Sequence, residues 1–215
     1  MSKEQLYTLM PLEEFKSVIG IDDREDKLAR FCLVTSTLTI EQYCKRKFLR
    51  KKFFEKIEFS GDLFLPFREY PVSKLLAVYA LSNIGGSGEI VEPEFYSVVP
   101  DCGTDYDLPF AIEFSPALKR YPALSAVKVV YWAGYQMSNE QLEMSNGKKS
   151  RVPVVPADLA AACMELAAWN MNRYRGRRVG MTGNIRGAGK EGEHFEMSMP
   201  ENVKLLLEPY RRKTI

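Results

Sequence analysis

Residues 155–174 read VPADLAAACMELAAWNMNRY, and this stretch decides the fold because it predicts a long helix on which a core can pack. Proline is tolerated in a first helical turn, so the helix is expected to begin at Pro156 and to extend to about Tyr174. The alanines permit close approach of a neighbouring helix. The predicted apolar face consists of Leu159, Cys163, Leu166, Ala167 and Tyr174.

Two further helices are predicted before residue 50. The first begins with residues 11–14, PLEE, whose carboxylates suit the positive end of the helix dipole, and it ends at Gly20. Asp22 and Asp23 cap the second helix, which is longer. Its mainly apolar stripe is expected to pack on the helix at 156–174 and consists of Leu28, Phe31, Cys32, Thr35, Leu38, Gln42 and Tyr43.

Strands are predicted from Lys52 onward, where the hydrophobic period changes to two residues. Ile57 and Phe59 alternate with Lys56 and Glu58, and the turn residues Gly61 and Asp62 precede an apolar run at 63–65, which predicts a hairpin. Further strands are predicted at 74–81, 95–99, 110–114 and 126–133. The expected shared faces are Phe110, Ile112 and Phe114 in one strand, and Val127, Val129 and Tyr131 in another. The polar stretch 138–150 is predicted to be an exposed loop.

These elements predict an α+β fold. It is a small helical bundle, in which the N-terminal helices pack with the helix at about 156–174, carrying an inserted antiparallel β subdomain and a C-terminal arm. A chain of 215 residues that is 46% hydrophobic can bury such a core. The predicted divisions are residues 1–51 for the N-terminal helices, 52–135 for the β subdomain, 136–175 for a loop and the long helix, and 176–215 for a flexible strap and docking helix.

Overall charge and cysteine content restrict the functional classes. The formal net charge is +2, so no whole-chain field would gather nucleic acid or an anionic membrane, and any electrostatic role must be local. The four cysteines are far apart, which argues against a zinc knuckle or a redox motif and is typical of a protein in a reducing cytoplasm. Cys32 and Cys163 are predicted to be buried thiols. The longest hydrophobic runs are too short to span a bilayer, so no membrane partner is expected.

Catalytic motifs are not supported. His194 is the only histidine, which excludes a histidine triad or a multi-histidine metal site within one chain. Residues 187–190, GAGK, are similar to a phosphate-binding loop but lack its first glycine, and Glu191 replaces the metal-binding hydroxyl. The glycines at 85–88 are predicted to form a turn between strands. We therefore expect no enzyme activity, no catalytic residues, no metal and no cofactor.

Two basic clusters have two possible roles. The first follows the second helix and includes Lys51 and Lys52, and the second follows the long helix and includes Arg173, Arg175, Arg177 and Arg178. Such clusters are most often solvated surface and partners of helix C-termini. The alternative is a positive surface for sequence-independent contact with the DNA backbone. The sequence leaves open whether the two clusters share one end of the helical core.

The final segment, SMPENVKLLLEPYRR at 198–212, predicts a helix of about two turns that starts at Pro200 and stops at Pro209. A helix this short is marginal alone. Either it folds back on its own chain, or it gains stability by entering a groove on a partner.

The order of these pieces resembles the head-tail connector proteins of long-tailed bacteriophages, also called adaptor or head completion proteins. The resemblance spans nearly the whole chain. It is carried by the helical start and by the stretches LPFREYPV at 65–72, VKVVYWAGY at 127–135, VPADL at 155–159 and LLEPYRR at 206–212.

The resemblance implies a non-catalytic virion protein at the head-tail interface, made in the host cytoplasm. It would assemble as a ring of about twelve copies beneath the portal protein. The ring would extend the DNA channel, with possible non-specific contact with packaged DNA. It would also present a platform to a tail-side connector or tail completion protein. The implied portal-docking residues are Met199, Val203, Leu205, Leu206, Tyr210, Arg211 and Arg212. The candidate DNA-channel or interface residues come from the two basic clusters and are Arg173, Arg175, Arg177, Arg178, Lys51 and Lys52. A sequence-independent DNA-binding module is the alternative function.

Overall fold

The computed structural model describes residues 7–58, 61–82, 88–100, 109–120, 124–137, 143–145, 148–150, 153–176 and 199–212. The chain divides into two compact units. The first, here the helical unit, contains Met1–Arg46 and Val155–Ile215, and the second, here the β unit, is Lys47–Val154. Residues 136–154 thus lie in the β unit, whereas the sequence grouped 136–150 with the long helix. Within the described residues, no helix is long and apolar enough to cross a membrane.

In its described residues, the helical unit contains four α-helices: α1 (Leu12–Ile19), α2 (Asp26–Cys44), α3 (Ala157–Arg175) and α4 (Glu201–Leu207). The predicted ends of α1 and α3 are confirmed within one residue. Gly20 ends α1 at φ 70°, a left-handed conformation that glycine adopts without steric cost. Asp22 accepts a hydrogen bond from the Arg24 amide at 2.9 Å and so caps the short 3-10 turn before α2.

The predicted packing face of α2 is wrong. The buried residues recur at three- and four-residue spacing, but they are Ala29, Cys32, Leu33, Ser36, Thr37, Ile40, Glu41 and Cys44. Phe31 and Leu38 from the predicted stripe are 52% and 47% exposed. The buried face has many small side chains, because it meets the alanine-rich face of α3, where Ala162 and Ala167 are fully buried.

Short polar contacts fix α2 against α3. The Thr37 hydroxyl lies 3.6 Å from the Cys163 thiol, and the Asn170 amide donates to the Ser36 hydroxyl at 3.1 Å. Thr37 also accepts a hydrogen bond from the Leu9 amide at 3.1 Å. Nearer the start of α2, the Phe31 ring packs on Tyr174, close to the end of α3, with centroids 5.5 Å apart. Because Phe31 precedes Thr37 on α2 whereas Tyr174 follows Cys163 on α3, the two helices are antiparallel.

The β unit contains two main antiparallel sheets. The first has the strand order β1-β7-β3-β4, formed by β1 (Lys51–Glu58), β7 (Leu124–Ala133), β3 (Val72–Ser82) and β4 (Glu89–Ile90). The second has the order β2-β6-β5, formed by β2 (Phe64–Pro66), β6 (Pro109–Phe114) and β5 (Tyr96–Pro100). Strands β3, β5, β6 and β7 confirm the predicted strands, and the α+β class with an antiparallel insertion is also confirmed.

Two predictions for this unit are wrong. The hairpin at 52–65 does not form, since β1 pairs with β7 and β2 pairs with β6. The polar stretch 138–150, expected to be a loop, contains a two-stranded pairing of β8 (Glu143–Ser145) with β9 (Lys148–Ser150). Phe110 is also 48% exposed at the start of β6, whereas Ile112 and Phe114 are buried as expected. The glycine turn at 85–88 lies outside the described residues except for Gly88.

Gly134 ends the VKVVYWAGY stretch at a close approach of two backbone segments. Its φ is 101°, and a Cβ there would lie 2.7 Å from the backbone oxygens of Phe48 and Leu49. The neighbouring Tyr135 amide donates to the Phe48 carbonyl at 2.7 Å. Only glycine suits both the conformation and the space.

A buried carboxylate lies beside the core of the β unit. Glu55 accepts a hydrogen bond from the Tyr131 hydroxyl at 2.5 Å, and that hydroxyl accepts one from the Glu69 amide at 3.2 Å. Tyr131 itself is fully buried and packs on Phe67 with ring centroids 4.8 Å apart. Burial raises the pKa of Glu55 above its usual value, although the hydrogen bond from Tyr131 opposes this shift.

Two leucines on α2 test the corrected packing face. Leu33 is fully buried and Leu38 is 47% exposed. We expect Leu33→Ala to lower the free energy of unfolding by about 2–5 kcal/mol, because it leaves a cavity in the core. The same truncation at Leu38 should cost under about 1 kcal/mol. Urea denaturation followed by circular dichroism measures both, and equal losses would contradict the assigned face.

The raised pKa of Glu55 predicts a pH-dependent stability. Because the folded state holds this proton more tightly than the unfolded state, the contribution of Glu55 is greatest in acid and declines as pH rises above about 4.3, the ordinary glutamate pKa. Glu55→Gln keeps an acceptor for Tyr131 but cannot ionise. We expect the unfolding free energy of wild type relative to this variant to fall between pH 4 and pH 8. A difference independent of pH would contradict the assignment.

Candidate assembly surfaces

The C-terminal segment packs on its own chain. Val203 and Leu207, four residues apart and therefore on one face of α4, are fully buried. This face contacts α3. The amide of Asn202 donates to the Glu165 carboxylate on α3. Burial of these two apolar side chains supplies the stability that a seven-residue helix lacks alone.

Residues after α4 are also attached to the helical unit. The Tyr210 hydroxyl donates to the Asp158 carboxylate at 2.6 Å, in the first turn of α3. The Arg212 amide donates to the Cys44 carbonyl at the end of α2, at 3.0 Å. The Arg211 guanidinium lies 5.4 Å from the ring centroid of Tyr43. The segment thus joins the end of α2 to the start of α3.

The structure therefore shows the first of the two alternatives for this segment, which folds back on its own chain. Among the predicted docking residues, Val203 is a core residue and is inaccessible in this conformation. Leu205 is 70% exposed and Arg211 is exposed. The remaining ones, Met199, Leu206, Tyr210 and Arg212, are half-buried. Residues 177–198, which include most of the predicted strap, His194 and the GAGK stretch, lie outside the described residues.

The predicted basic residues of α3 have partners in the helical unit. Arg175 donates to both carboxylate oxygens of Glu25, one of them at 2.7 Å, and this contact holds the pKa of Glu25 below its usual value. The Arg173 guanidinium lies 4.6 Å from the ring centroid of Trp169. Arg177 and Arg178 lie outside the described residues. Arg175 is therefore an ion-pair residue that fixes the end of α3 to the start of α2.

The two basic clusters do not share an end of the α2–α3 pair. Because these helices are antiparallel, Lys45 and Arg46 follow α2 at one end, whereas Arg173 and Arg175 lie at the other. The remainder of the first cluster belongs to the β unit. There Lys51 and Lys52 occupy successive positions of β1, so their side chains point to opposite faces of the sheet.

Sequence reasoning missed a surface that the sheet register creates. On the outer face of β1, β7 and β3, Lys52 pairs with Trp132, and Trp132 pairs with Lys74. Four residues further along β1, on the same face, Lys56 pairs with Lys128, and Lys128 pairs with Tyr79. We call this the lysine face. Alternating lysines in β1 were a visible signal, but strand order and register were needed to bring the other strands beside them.

The described cysteines are structural. Cys32, Cys44 and Cys163 are buried free thiols, which confirms the predicted burial of Cys32 and Cys163. Burial raises the pKa of each thiol to about 11, so these side chains stay protonated at neutral pH and are poor nucleophiles. In the described part of the chain, no group of three or more histidine, cysteine or acidic side chains is placed to hold a metal.

No protein-family model matches the sequence, and no curated protein matches it significantly. Solved structures do match. A chain of the virion of the native gene transfer agent (GTA) particle is 19% identical, with a TM-score of 0.56, over 96% of this chain and 91% of that one. The two chains share one fold.

A second similar chain comes from the neck of the empty GTA particle, computed with C6 symmetry. It is 18% identical, with a TM-score of 0.52, and the likeness again covers 96% of this chain and 91% of that chain. A likeness over 96% of the chain extends over both units. It supports the α+β fold assigned above.

Two leucines on α4 test how the C-terminal segment is held. Leu207 is fully buried, whereas Leu205 is 70% exposed. Leu207→Ala should release the segment, because α4 is too short to persist without its packing face. We expect amide hydrogen exchange over residues 203–210 to become roughly tenfold faster or more, because truncation of a core leucine destabilises the local packing. Leu205→Ala should leave exchange unchanged, and equal protection in both variants would contradict this packing.

Proposed function

We propose that this protein is a structural component of the neck of a phage-like particle, a ring adaptor between the portal and the tail that extends the DNA channel and joins head to tail. The observation that carries the proposal is the fold likeness to a GTA virion chain over 96% of this chain and 91% of that one. A likeness through both units supports a shared architecture better than a match to one common subdomain would.

A cyclic assembly is part of the proposal. One similar chain belongs to a neck computed with C6 symmetry, and a ring of about twelve copies is compatible with sixfold symmetry. In such a ring each copy presents the same surface to the portal. Weak contacts repeated around the ring then add to a firm joint, because binding of one copy raises the effective concentration of the next.

The C-terminal segment is the proposed portal-docking surface, but as a folded element. In the single chain α4 is already held on α3, so docking loses less conformational entropy than the binding of a disordered arm would. Leu205 is the apolar side chain it exposes most, with half-buried Leu206 next to it and Arg211 near the segment's end. Met199, Tyr210 and Arg212 would contribute through their accessible parts. Removal of residues 199–215 would uncover α3, so truncation tests folding as well as docking.

The remaining partners follow from the same role. The opposite side of the ring would bind a tail-side connector or tail completion protein, and the protein would be incorporated into virions at the head-tail interface. Its role is structural, with no catalytic step. The alternative, a sequence-independent DNA-binding module, draws support from the lysine face and not from Arg175, whose guanidinium is held by Glu25.

The direct test is co-expression of the full chain with the portal protein of the same particle, followed by electron microscopy of the purified complex. We expect a ring stacked coaxially on the portal. A chain that remains monomeric beside intact portals, under conditions in which both are folded, would overturn the proposal.

A matched pair of substitutions tests the docking surface. Leu205 on α4 and Val18 on α1 are both exposed, at 70% and 58%. Leu205→Asp should weaken portal binding at least tenfold, on the order of one buried apolar contact replaced by a charge, while the melting temperature stays unchanged. Val18→Asp carries the same new charge and should bind normally. Unimpaired binding of the Leu205 variant would contradict the assignment of α4, and surface plasmon resonance measures both.

A further inference from the structure

The lysine face is a cationic and aromatic surface on the outer side of β1, β7 and β3. Lys52, Lys56 and Lys74 are exposed, and Lys128 is half-buried at the centre. Three paired strands span about 10 Å, and the row of Lys52 lies about 13 Å from the row of Lys56. In the described rows of this face, Glu58 is the single carboxylate. The face thus concentrates positive charge in a chain whose net charge is only +2.

Aromatic rings hold the amines in place. The ammonium groups of Lys52 and Lys128 lie 5.1 and 5.6 Å from the ring centroid of Phe54, which is 61% exposed. Lys128 also lies 5.7 Å from the Tyr79 ring. A ring attracts a cation through its quadrupole but does not neutralise it, so these contacts position the charges and leave them available to an anion.

Several features of the face match a polyanion with evenly spaced charges. The opposite side of the same sheet carries Val129 and Tyr131 in the core, so the face rests on a rigid support. Its four lysines are flexible point charges, which can contact a row of phosphates without a fixed contact geometry. Lysine contacts with phosphates fix position but read no base edge, so binding through this face would be independent of sequence. Charge complementarity therefore favours a polyanion, and the proposed role in a neck selects the phosphate backbone of DNA as that polyanion.

We propose that the lysine face binds the phosphate backbone of double-stranded DNA without sequence preference, through Lys52, Lys56, Lys74 and Lys128. The choice of duplex DNA rests on the proposed function, since a neck surrounds the path of the packaged duplex. The proposal moves the DNA contact from the arginines of α3 to the sheet of the β unit. Of the basic residues predicted from the sequence, it retains Lys52.

The test measures binding of the full chain to a fluorescent 30-base-pair duplex by anisotropy, over a series of salt concentrations. The variant carries Lys52→Gln, Lys56→Gln, Lys74→Gln and Lys128→Gln. If each lysine neutralises one phosphate, the slope of log affinity against log salt should become less steep by about 3.6, and affinity at low salt should fall ~100-fold. The matched control removes equal charge from the helical unit with Arg24→Gln, Lys27→Gln, Arg30→Gln and Lys204→Gln, and should bind nearly as wild type.

The same experiment includes controls for misfolding of the variant and for an acidic protein partner in place of DNA. If the fourfold variant melts early, the double variant Lys52→Gln and Lys56→Gln, at exposed positions, should lower the slope by about 1.8. Wild-type affinity in either lysine variant, or equal loss in the matched control, would overturn the proposal. So would binding of polyglutamate as tight as that of the duplex at equal salt, which would indicate an acidic protein partner.

Portal binding by the same variants separates this inference from the proposed function. Loss of DNA binding with portal binding retained supports both. A wild-type chain that binds portal but not duplex would refute the lysine face alone. A wild-type chain that binds duplex through this face but never joins a portal would refute the adaptor role and leave a DNA-binding module.

Discussion

Close contact between α2 and α3 is the constraint on which the helical unit depends. Alanine, serine, threonine and cysteine make up much of the buried faces of both helices, and such small side chains permit close packing. Hydrogen bonds at Ser36 and Thr37 satisfy polar groups buried there. Close packing of this kind tolerates little added volume. The ion pair of Arg175 with Glu25 sits at one end of the contact and the C-terminal segment closes the other.

The positions of helices and strands along the chain could be predicted from the sequence, but the elements they pack on or pair with were harder to predict. Helix α3 and the strands β3, β5, β6 and β7 follow from apolar periodicity and from turn residues at their ends. The face of α2 did not follow, because Phe31 and Leu38 outrank Ala29 and Ser36 in hydrophobicity while shape complementarity to alanine decides what is buried. The hairpin failed for a related reason: the partner of β1 lies some seventy residues further along the chain, and alternation within a strand carries no information about its partner.

The candidate surfaces show the same division. A terminal helix at 200–209 could be read from its two prolines, and its return to its own chain was one of two alternatives that only the buried positions of Val203 and Leu207 distinguish. The arginines of α3 were visible as a cluster, yet the carboxylate that binds Arg175 lies 150 residues away. The lysine face needed three strands in register before its charges came together. Basic residues that are neighbours in the sequence were thus poorer indicators of a charged surface than basic residues brought together by strand pairing.

The attachment of the β unit has a consequence for how such a protein can change over evolutionary time. Its chain leaves the helical unit just after α2 and returns just before α3, and these two helix ends are neighbours, tied through Arg212 to Cys44 and through Tyr210 to Asp158. An insertion whose entry and exit are adjacent adds little loop-closure cost when it grows or shrinks. The β unit can therefore be lengthened, shortened or replaced during evolution, while α2 and α3 remain paired.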